Sequence, residues 1–363
     1  MHYPCLEFDL EKLRHNLAEV SSRCREAGIQ LAGVVKGFQA LPKLVKEYVP
    51  YCSQIAFSRL SRAEQLRREG IEIDFLMLRI PEPSEVPKLV ALTEYSLASQ
   101  LCVVHLIDEQ CALQGRNHGV ILMADEGDLR EGYWDKKQLV TDAVTIEKEL
   151  HHVRLAGVGM NVGCYGSVLP TRENLGDLVH IAEEIEQRIG RKLEIVSGGA
   201  TSSFDLVLGG TMPRGINHLR LGEVIMNARD LRDRRGTNTG FLDSRVPTLY
   251  AEVVEVFEKP SHPIGEIDLD AFGHRQVYED RGIRRRAILA LGRQDVGYLE
   301  DLLPRIPGVQ VLGGSSDHLI LDIEDSPEDW FPGKIVPFDL NYGTLMFATN
   351  SSDISVSYLE KTL

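Results

Sequence analysis

The stretch "LAGVVKGFQA", residues 31–40, places Lys36 directly after a run of apolar and small residues. A continuous apolar run is typical of a parallel strand that is covered on both faces. An ammonium group at the end of such a strand is notable, because desolvation disfavours the charged form of lysine. The stretch therefore predicts a buried strand that carries an amine at its carboxyl end.

Short apolar runs of the same kind recur along the first part of the chain, and helical patterns separate most of them. The first predicted helix starts after Asp9, which can cap it, and stops at Gly28. A further helix is predicted to open with a capping box formed by Ser61 and Glu64. The other predicted strands are "QIAFSR", "DFLMLRI", "YSLAS", "GVILMADEG", "VRLAGVGMN", "LEIVSGG" and "HLRLGE".

Eight strands that alternate with helices over about 220 residues predict a (β/α)8 TIM barrel. A doubly wound parallel sheet is the competing interpretation of the same alternation. The alternation stops at the polar stretch "RDLRDRRGTNTG", residues 229–240, and β-type runs such as "TLYAEVVEVFE" follow it. We therefore expect an N-terminal barrel over residues 1–235 and a mostly-β C-terminal domain over residues 236–363.

Composition restricts the class of protein. The 363 residues carry a formal net charge of −14, which argues against binding to nucleic acid or to an anionic membrane surface. The start "MHYPCLEFDL" has no secretory signal character. The six cysteines are scattered without a CxxC pair, so we expect reduced thiols, no metal site and a cytoplasmic location.

Side chains that can do chemistry follow several of the predicted strands, and barrel active sites lie at that end. A desolvated lysine can lose its proton and form an imine with a carbonyl. A turn such as "SGGATSS", residues 197–203, can bind a phosphate group. Together these features predict pyridoxal 5'-phosphate as the cofactor. The strand-end residues are Lys36, Arg130, Asn161, Cys164, Tyr165, Ser197 and Arg220.

Each of these features also has a plainer interpretation. A lysine after a strand is commonly a solvated loop residue, and a Gly/Ser turn can be only a flexible connection. Cys164 can be a small buried hydrophobe, and "RLGE" can be a strand end with a surface ion pair. Their joint placement at strand ends is what favours an active site.

The order of motifs resembles the alanine racemase family of pyridoxal-phosphate enzymes (fold-type III), closest to its alanine/ornithine racemase branch. The resemblance covers nearly the whole chain and implies a barrel followed by a β domain. It also implies an amino-acid racemase, which removes the Cα proton on one face and returns it on the other. The motifs are "VVKG", "GDLREGY", "CYG", "IVSGG", "LRLGE", "PIGEI", "DAFG", "RRRAILALG" and "GGSSDHLI".

The resemblance implies a role for each matched residue. Lys36 would hold the cofactor and act as a base, and Arg220 would face the pyridine nitrogen. Arg130 would lie near the phenolic oxygen of the cofactor and bind the substrate carboxylate, together with Ser316. Asn161 stands where the family usually has a histidine beside the ring. The remaining cofactor contacts would be Ser197, Thr201, Ser202, Gly222 and Glu223, the last two through backbone N–H groups.

Two departures from the family pattern concern tyrosines. The phosphate-binding tyrosine after the lysine is replaced by Ala40, and the base on the opposite face is replaced by Arg293. Arginine cannot act as a base at neutral pH, because its pKa exceeds ~12. Either Lys36 serves both faces or another residue carries the second proton. The candidates are Cys164, Tyr165, Asp317 and His318.

The branch resemblance implies a cationic substrate such as ornithine, with lysine, arginine, alanine and serine left open, and a homodimer with the site at its interface. Carboxylates of the C-terminal domain could pair with the ammonium group of such a substrate or form a solvated face. Alternative functions are a non-catalytic pyridoxal-phosphate carrier, decarboxylation or aldol cleavage, and a cofactor-free enzyme acting on sugar phosphates. The candidate carboxylates are Glu266, Asp268, Asp270, Glu279 and Asp280.

Overall fold

The computed structural model describes residues 2–270, 272–273, 275 and 277–360. The chain forms two compact units, one within Arg14–Asp243 and one built from the residues up to Leu13 and from Ser244 onward. It begins with strand β1 (Cys5–Asp9), which helix α1 (Leu10–Glu26) follows directly. Asp9 caps this helix as predicted, because its Oδ1 accepts the N–H of Lys12 at 3.1 Å.

The unit within Arg14–Asp243 contains a closed barrel of eight strands, β2 to β9. Neighbouring strands are parallel throughout, and the pairing of the first with the last closes the barrel. The predicted (β/α)8 fold is therefore confirmed, and the doubly wound sheet is excluded. The strands are β2 (Gln30–Val34), β3 (Gln54–Phe57), β4 (Asp74–Met77), β5 (Tyr95–Ala98), β6 (His118–Ala124), β7 (Val153–Met160), β8 (Ile195–Ser197) and β9 (His218–Leu221).

Burial explains why the strands have continuous apolar sequences. Every residue of β3, β5, β6 and β9 is buried, as expected when helices cover the outside and side chains fill the inside. Strands β2 to β8 each contribute to one interior cluster. That cluster comprises Ala32, Ala56, Leu76, Tyr95, Leu97, Ile121, Met123, Ala156 and Ile195.

Helices connect the barrel strands, and their starts follow local capping chemistry in several places. Asp135 caps α6 (Lys136–Glu149), and Thr171 with Asn174 forms a capping box on α7 (Arg172–Ile189). The predicted capping box at Ser61 is wrong, because α3 begins one residue earlier and has Arg59 at its N-cap without a side-chain bond. The helices are α2 (Pro42–Tyr48), α3 (Leu60–Arg68), α4 (Val86–Leu92), α5 (Leu101–Gln114), α6 (Lys136–Glu149), α7 (Arg172–Ile189), α8 (Phe204–Leu208), α9 (Glu223–Met226) and α10 (Asp230–Arg235).

The second unit is mostly β structure, and β1 belongs to it. This strand pairs antiparallel with β10 (Pro247–Pro260) and parallel with β16 (Ser355–Leu359). The unit boundaries thus differ from the expected division after residue 235, because backbone pairing draws the N-terminal strand away from the barrel sequence that follows it. The elements are β10 (Pro247–Pro260), β11 (Ile283–Ala290), α11 (Arg293–Val296), β12 (Leu303–Pro304), β13 (Gln310–Gly314), β14 (His318–Asp322), β15 (Ile335–Asp339), α12 (Tyr342–Ala348) and β16 (Ser355–Leu359).

Two further observations bear on the class of protein. All six cysteines are free thiols. Across the described part of the chain, every helix is too short or too polar to cross a lipid bilayer.

Candidate active site

Lys36 opens a single 3-10 turn, Lys36–Phe38, immediately after β2. The turn closes where the N–H of Ala40 donates to the carbonyl of Val35 at 2.9 Å. Gln39 and Ala40 both adopt left-handed backbone, with φ of 54° and 53°, a region that non-glycine residues seldom occupy. Backbone strain of this kind is retained where the surroundings hold it in place, and it is common at functional sites.

Lys36 is an exposed residue, but nearby protein atoms partly desolvate its amine. This desolvation is the main reason why the pKa of Lys36 is lowered. Electrostatic interactions with Cys164 and Glu131 oppose the shift, while the guanidinium groups of Arg130 and Arg220 add to it. Groups from the loops after β6 and β7 and from strand β9 therefore act on the amine that follows β2, so these strand ends form one site.

Arg130 is held by its neighbour in sequence, Glu131. The Nε and Nη2 atoms of the arginine each donate to a separate oxygen of the carboxylate. Desolvation acts to lower the pKa of Arg130, but the hydrogen bonds and charge of Glu131 outweigh it and raise that pKa. The sequence analysis did not identify Glu131, although an acid directly beside a candidate arginine in "DLREG" was a usable signal.

Asp128 organises the loop after β7, although it lies in the loop after β6. It is buried, and its carboxylate accepts the N–H groups of Gly163, Tyr165 and Val168 at 3.1, 2.9 and 3.3 Å. Burial acts to raise the pKa of Asp128, but these backbone donors prevail and lower it. The carboxylate is therefore ionised at neutral pH and ties the two loops together.

The loop held by Asp128 carries three predicted site residues, and their side chains make different contacts. The side-chain amide of Asn161 donates to the sulfur of Cys164 at 3.1 Å. Cys164 also contributes to the electrostatic environment of Lys36 and of Arg220. Cys164 is exposed rather than a buried hydrophobe, and Tyr165 is 75% exposed, with its backbone N–H held by Asp128.

Arg220 lies inside the barrel on β9 and is 3% exposed. Its Nη1 donates to the hydroxyl of Ser197, and its Nη2 donates to the carbonyl of Met160 at 2.7 Å. Desolvation lowers the pKa of Arg220 to about 10, so the side chain stays protonated at neutral pH. Both hydrogen-bond acceptors are neutral, and the positive charge therefore remains available to a ligand.

The glycine-rich turn after β8 meets the end of β9. Gly199 has a φ of +111°, and a Cβ there would lie 2.7 Å from the hydroxyl oxygen of Ser203. The Thr201 hydroxyl accepts the N–H of Gly222 at 3.5 Å, and Ser202 donates to the carbonyl of Val162 at 2.9 Å. The turn thus joins the loops that follow β7 and β9.

Glu223 begins α9, and its side-chain carboxylate binds backbone N–H groups beyond the end of that helix. One carboxylate oxygen accepts the N–H groups of Arg229 and Asp230 at 3.0 and 3.1 Å, and the other is buried without a partner within the described residues. Desolvation is the main cause that raises the pKa of Glu223 to about 7. Only the backbone N–H of this residue is suited to bind an anion.

The predicted residues Ser316, Asp317 and His318 lie in the β-rich unit. Asp317 accepts the hydroxyl of Ser316 at 2.6 Å and the amide of Gln294 at 2.8 Å. His318 begins β14 and is exposed. Arg293, at the position of the missing tyrosine, makes an ion pair with Glu300 at 3.4 Å.

The expected substrate-binding carboxylates also lie in the β-rich unit, in the loop between β10 and β11. All are exposed except Asp270, which is half-buried, so their role stays a prediction. They are Glu266, Asp268, Asp270, Glu279 and Asp280.

The fold and site define a (β/α)8 barrel protein whose strand ends carry a desolvated lysine with two guanidinium groups near its amine. A glycine-rich turn lies at the same end of the barrel. The chain belongs to the alanine racemase family. The family described as "Alanine racemase, N-terminal domain" matches residues 8–230, and the predicted family is therefore confirmed.

Two characterised relatives match the chain from end to end. An ornithine racemase from Acetoanaerobium sticklandii is 37% identical over 365 residues, and a lysine racemase from Thermotoga maritima is 36% identical over 359 residues. Each match covers 99% of both proteins. The shared length therefore includes the β-rich unit as well as the barrel.

Solved structures of more distant proteins show the same fold. The alanine racemase from Streptomyces lavendulae superposes with a TM-score of 0.75 at 18% identity, covering 99% of this chain and 97% of that one. The alanine racemase from Clostridium difficile 630 gives 0.74 at 17% identity, covering 98% and 95%. At this low level of sequence identity, the two superpositions show that the fold is shared and nothing more specific.

Proposed function

We propose that this chain is a pyridoxal-phosphate-dependent amino-acid racemase that acts on a cationic amino acid, ornithine or lysine. The observation that carries the proposal is the amine of Lys36, whose pKa is lowered by desolvation and, to a smaller extent, by the charges of Arg130 and Arg220. The names of the two end-to-end relatives support both the reaction and the class of substrate.

The residues at the strand ends fit the proposed cofactor. Lys36 offers an amine that loses its proton readily and can bond to a carbonyl carbon. Arg220 offers a buried positive charge whose hydrogen-bond acceptors are neutral, so a further acceptor there would be favourable. Thr201 with the backbone N–H groups of Gly222 and Glu223 would hold the phosphate, while the side chain of Glu223 stays directed to its own backbone partners.

The bound cofactor would supply an electron-withdrawing ring that acidifies the Cα–H bond of the amino acid. Arg130 would orient the substrate carboxylate, with Glu131 holding the guanidinium in place. Arg220 would donate a hydrogen bond to the ring nitrogen and keep its own proton. Such a hydrogen bond would keep a bound ring a moderate electron acceptor, which would favour return of the proton over side reactions. Lys36 would take or return the Cα proton on its own face.

We propose Cys164 as the proton carrier on the opposite face. Asn161 orients its sulfur, and the thiol is close enough to Lys36 and Arg220 to interact electrostatically with both. Cys164 and Tyr165 are both exposed, but Tyr165 is the weaker barrel candidate because, within the described residues, no hydrogen bond orients its hydroxyl. His318 and Asp317 remain candidates from the β-rich unit.

The resemblance to the family also supports a homodimer, which we propose for this chain. In that assembly the β-rich unit would contribute to the site of the other subunit. The mass of the protein in solution, measured by light scattering after size-exclusion chromatography, tests this directly. A protein that racemises amino acids while eluting as a monomer would contradict it.

The central experiment is an absorbance spectrum of the purified protein, followed by a chiral assay over a panel of L-amino acids. We expect a yellow protein that borohydride bleaches and that racemises L-ornithine or L-lysine fastest. Deuterium exchange at Cα should accompany racemisation. Colour without exchange on any amino acid would instead indicate a non-catalytic carrier, and a colourless protein would contradict the cofactor assignment.

A further inference from the structure

A chain of buried polar side chains lies behind Arg220 in the barrel interior. The hydroxyl oxygen of Ser197 lies 2.7 Å from Nδ1 of His218. The Nε2 of the same histidine lies 3.1 Å from the side-chain oxygen of Gln54. Ser197 and His218 are completely buried, and Gln54 is 4% exposed. The chain thus connects the guanidinium of Arg220 with strand β3.

The direction of these hydrogen bonds is determined from the arginine end. A guanidinium can only donate, so the Ser197 oxygen accepts from Arg220 and its own proton is free to point at His218. The Nδ1 of His218 must then accept, and the proton of the neutral ring lies on Nε2, where it donates to Gln54. The reverse direction would leave the serine proton without an acceptor among the described residues.

The histidine is neutral under physiological conditions. Desolvation, with a smaller effect from the charge of Arg220, lowers the pKa of His218 to about 3. A protonated ring would carry a proton on Nδ1 and could not accept from Ser197. Neutrality of His218 and the orientation of the serine hydroxyl therefore depend on each other.

The chain anchors Arg220 without neutralising it. A carboxylate at the position of Ser197 would also hold the guanidinium, but it would cancel much of the positive charge. A hydroxyl backed by a neutral imidazole holds the same group and leaves that charge available. Buried polar groups are costly unless they are fully hydrogen-bonded, so a four-residue polar chain inside an apolar barrel needs a reason beyond packing.

We propose that His218 and Gln54 are positioning residues, which act through Ser197 to hold Arg220 as a charged hydrogen-bond donor toward the ring nitrogen of the cofactor. This inference rests on the proposed function, because it requires that the cofactor ring binds beside Arg220.

The test uses holoenzyme prepared with pyridoxal phosphate that carries 15N in its ring. The ring 15N chemical shift and the cofactor dissociation constant are measured for wild type, His218→Leu and His218→Asn. His218→Leu removes the acceptor of the serine proton, so we expect a changed shift and roughly tenfold weaker cofactor binding. His218→Asn supplies an amide oxygen near the former Nδ1 and should restore both values.

His118 provides a matched control. It is also a completely buried histidine that begins a barrel strand, and it contacts the carbonyl of Thr93 and the hydroxyl of Ser96. His118→Leu should leave the ring 15N shift and the cofactor affinity as in wild type. Equal changes in the two leucine variants would mean general damage to the barrel and would overturn the positioning role.

The remaining outcomes are also decisive. A wild-type shift and affinity in His218→Leu would overturn the inference while the racemase proposal stands. Failure of wild type to bind the cofactor would overturn both. If His218→Leu does not fold, Ser197→Ala removes the same contact with a smaller change. An unaltered ring shift in that variant would likewise refute the inference.

Discussion

The two ends of the barrel strands differ in how their charged side chains are paired. At the amino ends, Arg67 donates to Glu94 at 2.6 Å, and the same carboxylate oxygen accepts the N–H of Phe75 at 2.8 Å. Arg154 pairs with Glu194 in the same way. Each of these cations has a carboxylate partner.

At the carboxyl ends Arg130 is paired with Glu131, but other charged groups there lack an ion pair within the described residues. Within the described part of the chain, Arg220 has only a hydroxyl and a carbonyl as hydrogen-bond acceptors. Desolvation by surrounding protein atoms lowers the pKa of Lys36. Glu223 has one buried oxygen without a partner in the described structure. The ion pairs at the amino ends therefore stabilise the barrel, whereas the carboxyl ends hold charged groups that can still pair with a ligand.

Lys36→Ala should have the largest effect on function and almost none on stability. The chemistry depends on this amine, so we expect racemisation to fall at least about a thousandfold. The free energy of unfolding should stay the same or rise slightly, because a desolvated amine is removed. Chiral chromatography and urea denaturation measure the two quantities, and Cα–H exchange at the wild-type rate would show that Lys36 is not the base.

Glu223→Gln should stabilise the protein at alkaline pH. Because the pKa of Glu223 is raised from 4.5 to about 7, the folded state binds more protons than the unfolded state between these values. The unfolding free energy of wild type should therefore decrease as pH rises through this window, by about 1–3 kcal/mol. Urea denaturation at pH 5 and pH 8 measures this decrease. An equally steep decrease in the glutamine variant would show that titration of Glu223 is not its cause.

Asp128→Asn tests whether the loop after β7 needs a charged anchor. The amide keeps one oxygen acceptor but loses the charge that strengthens the bonds to Gly163, Tyr165 and Val168. We expect kcat/KM to fall about tenfold, which corresponds to about 1.4 kcal/mol, with little change in cofactor affinity. Hydrogen exchange of the loop amides should rise in parallel, and unchanged exchange would exclude an anchoring role.

Glu94→Gln should have the smallest effect and should act on stability alone. The loss of charge weakens its contacts with Arg67 and Phe75, and these groups are partly exposed, so we expect about 1 kcal/mol. Thermal denaturation measures this loss. Racemase activity should stay at the wild-type level, and a large loss of activity would remove the distinction between the two ends of the barrel.

Sequence reasoning identified the strands and the strand-end residues because both leave local signals. Buried parallel strands produce apolar runs, and Lys36 or Arg220 interrupts such a run with a charge. Glu131 and His218 were missed although both were readable. His218 lies two residues before Arg220, and residues at that spacing on a strand point to the same side.

Other features had no local signal at all. The assignment of β1 to the β-rich unit depends on pairing with strands more than two hundred residues away. The anchoring of one loop by Asp128 in another depends on how close the ends of β6 and β7 lie.

The sequence by itself therefore determined the alternating fold and the family and supplied the candidate reactive groups, because periodicity and residue type are local properties. Only the tertiary structure decided which of these groups interact and how strongly each is charged. Desolvation and hydrogen-bond direction depend on every neighbour in space. Ser197, His218 and Gln54 illustrate this, since three separate strands must close into a barrel before they can form one chain behind Arg220.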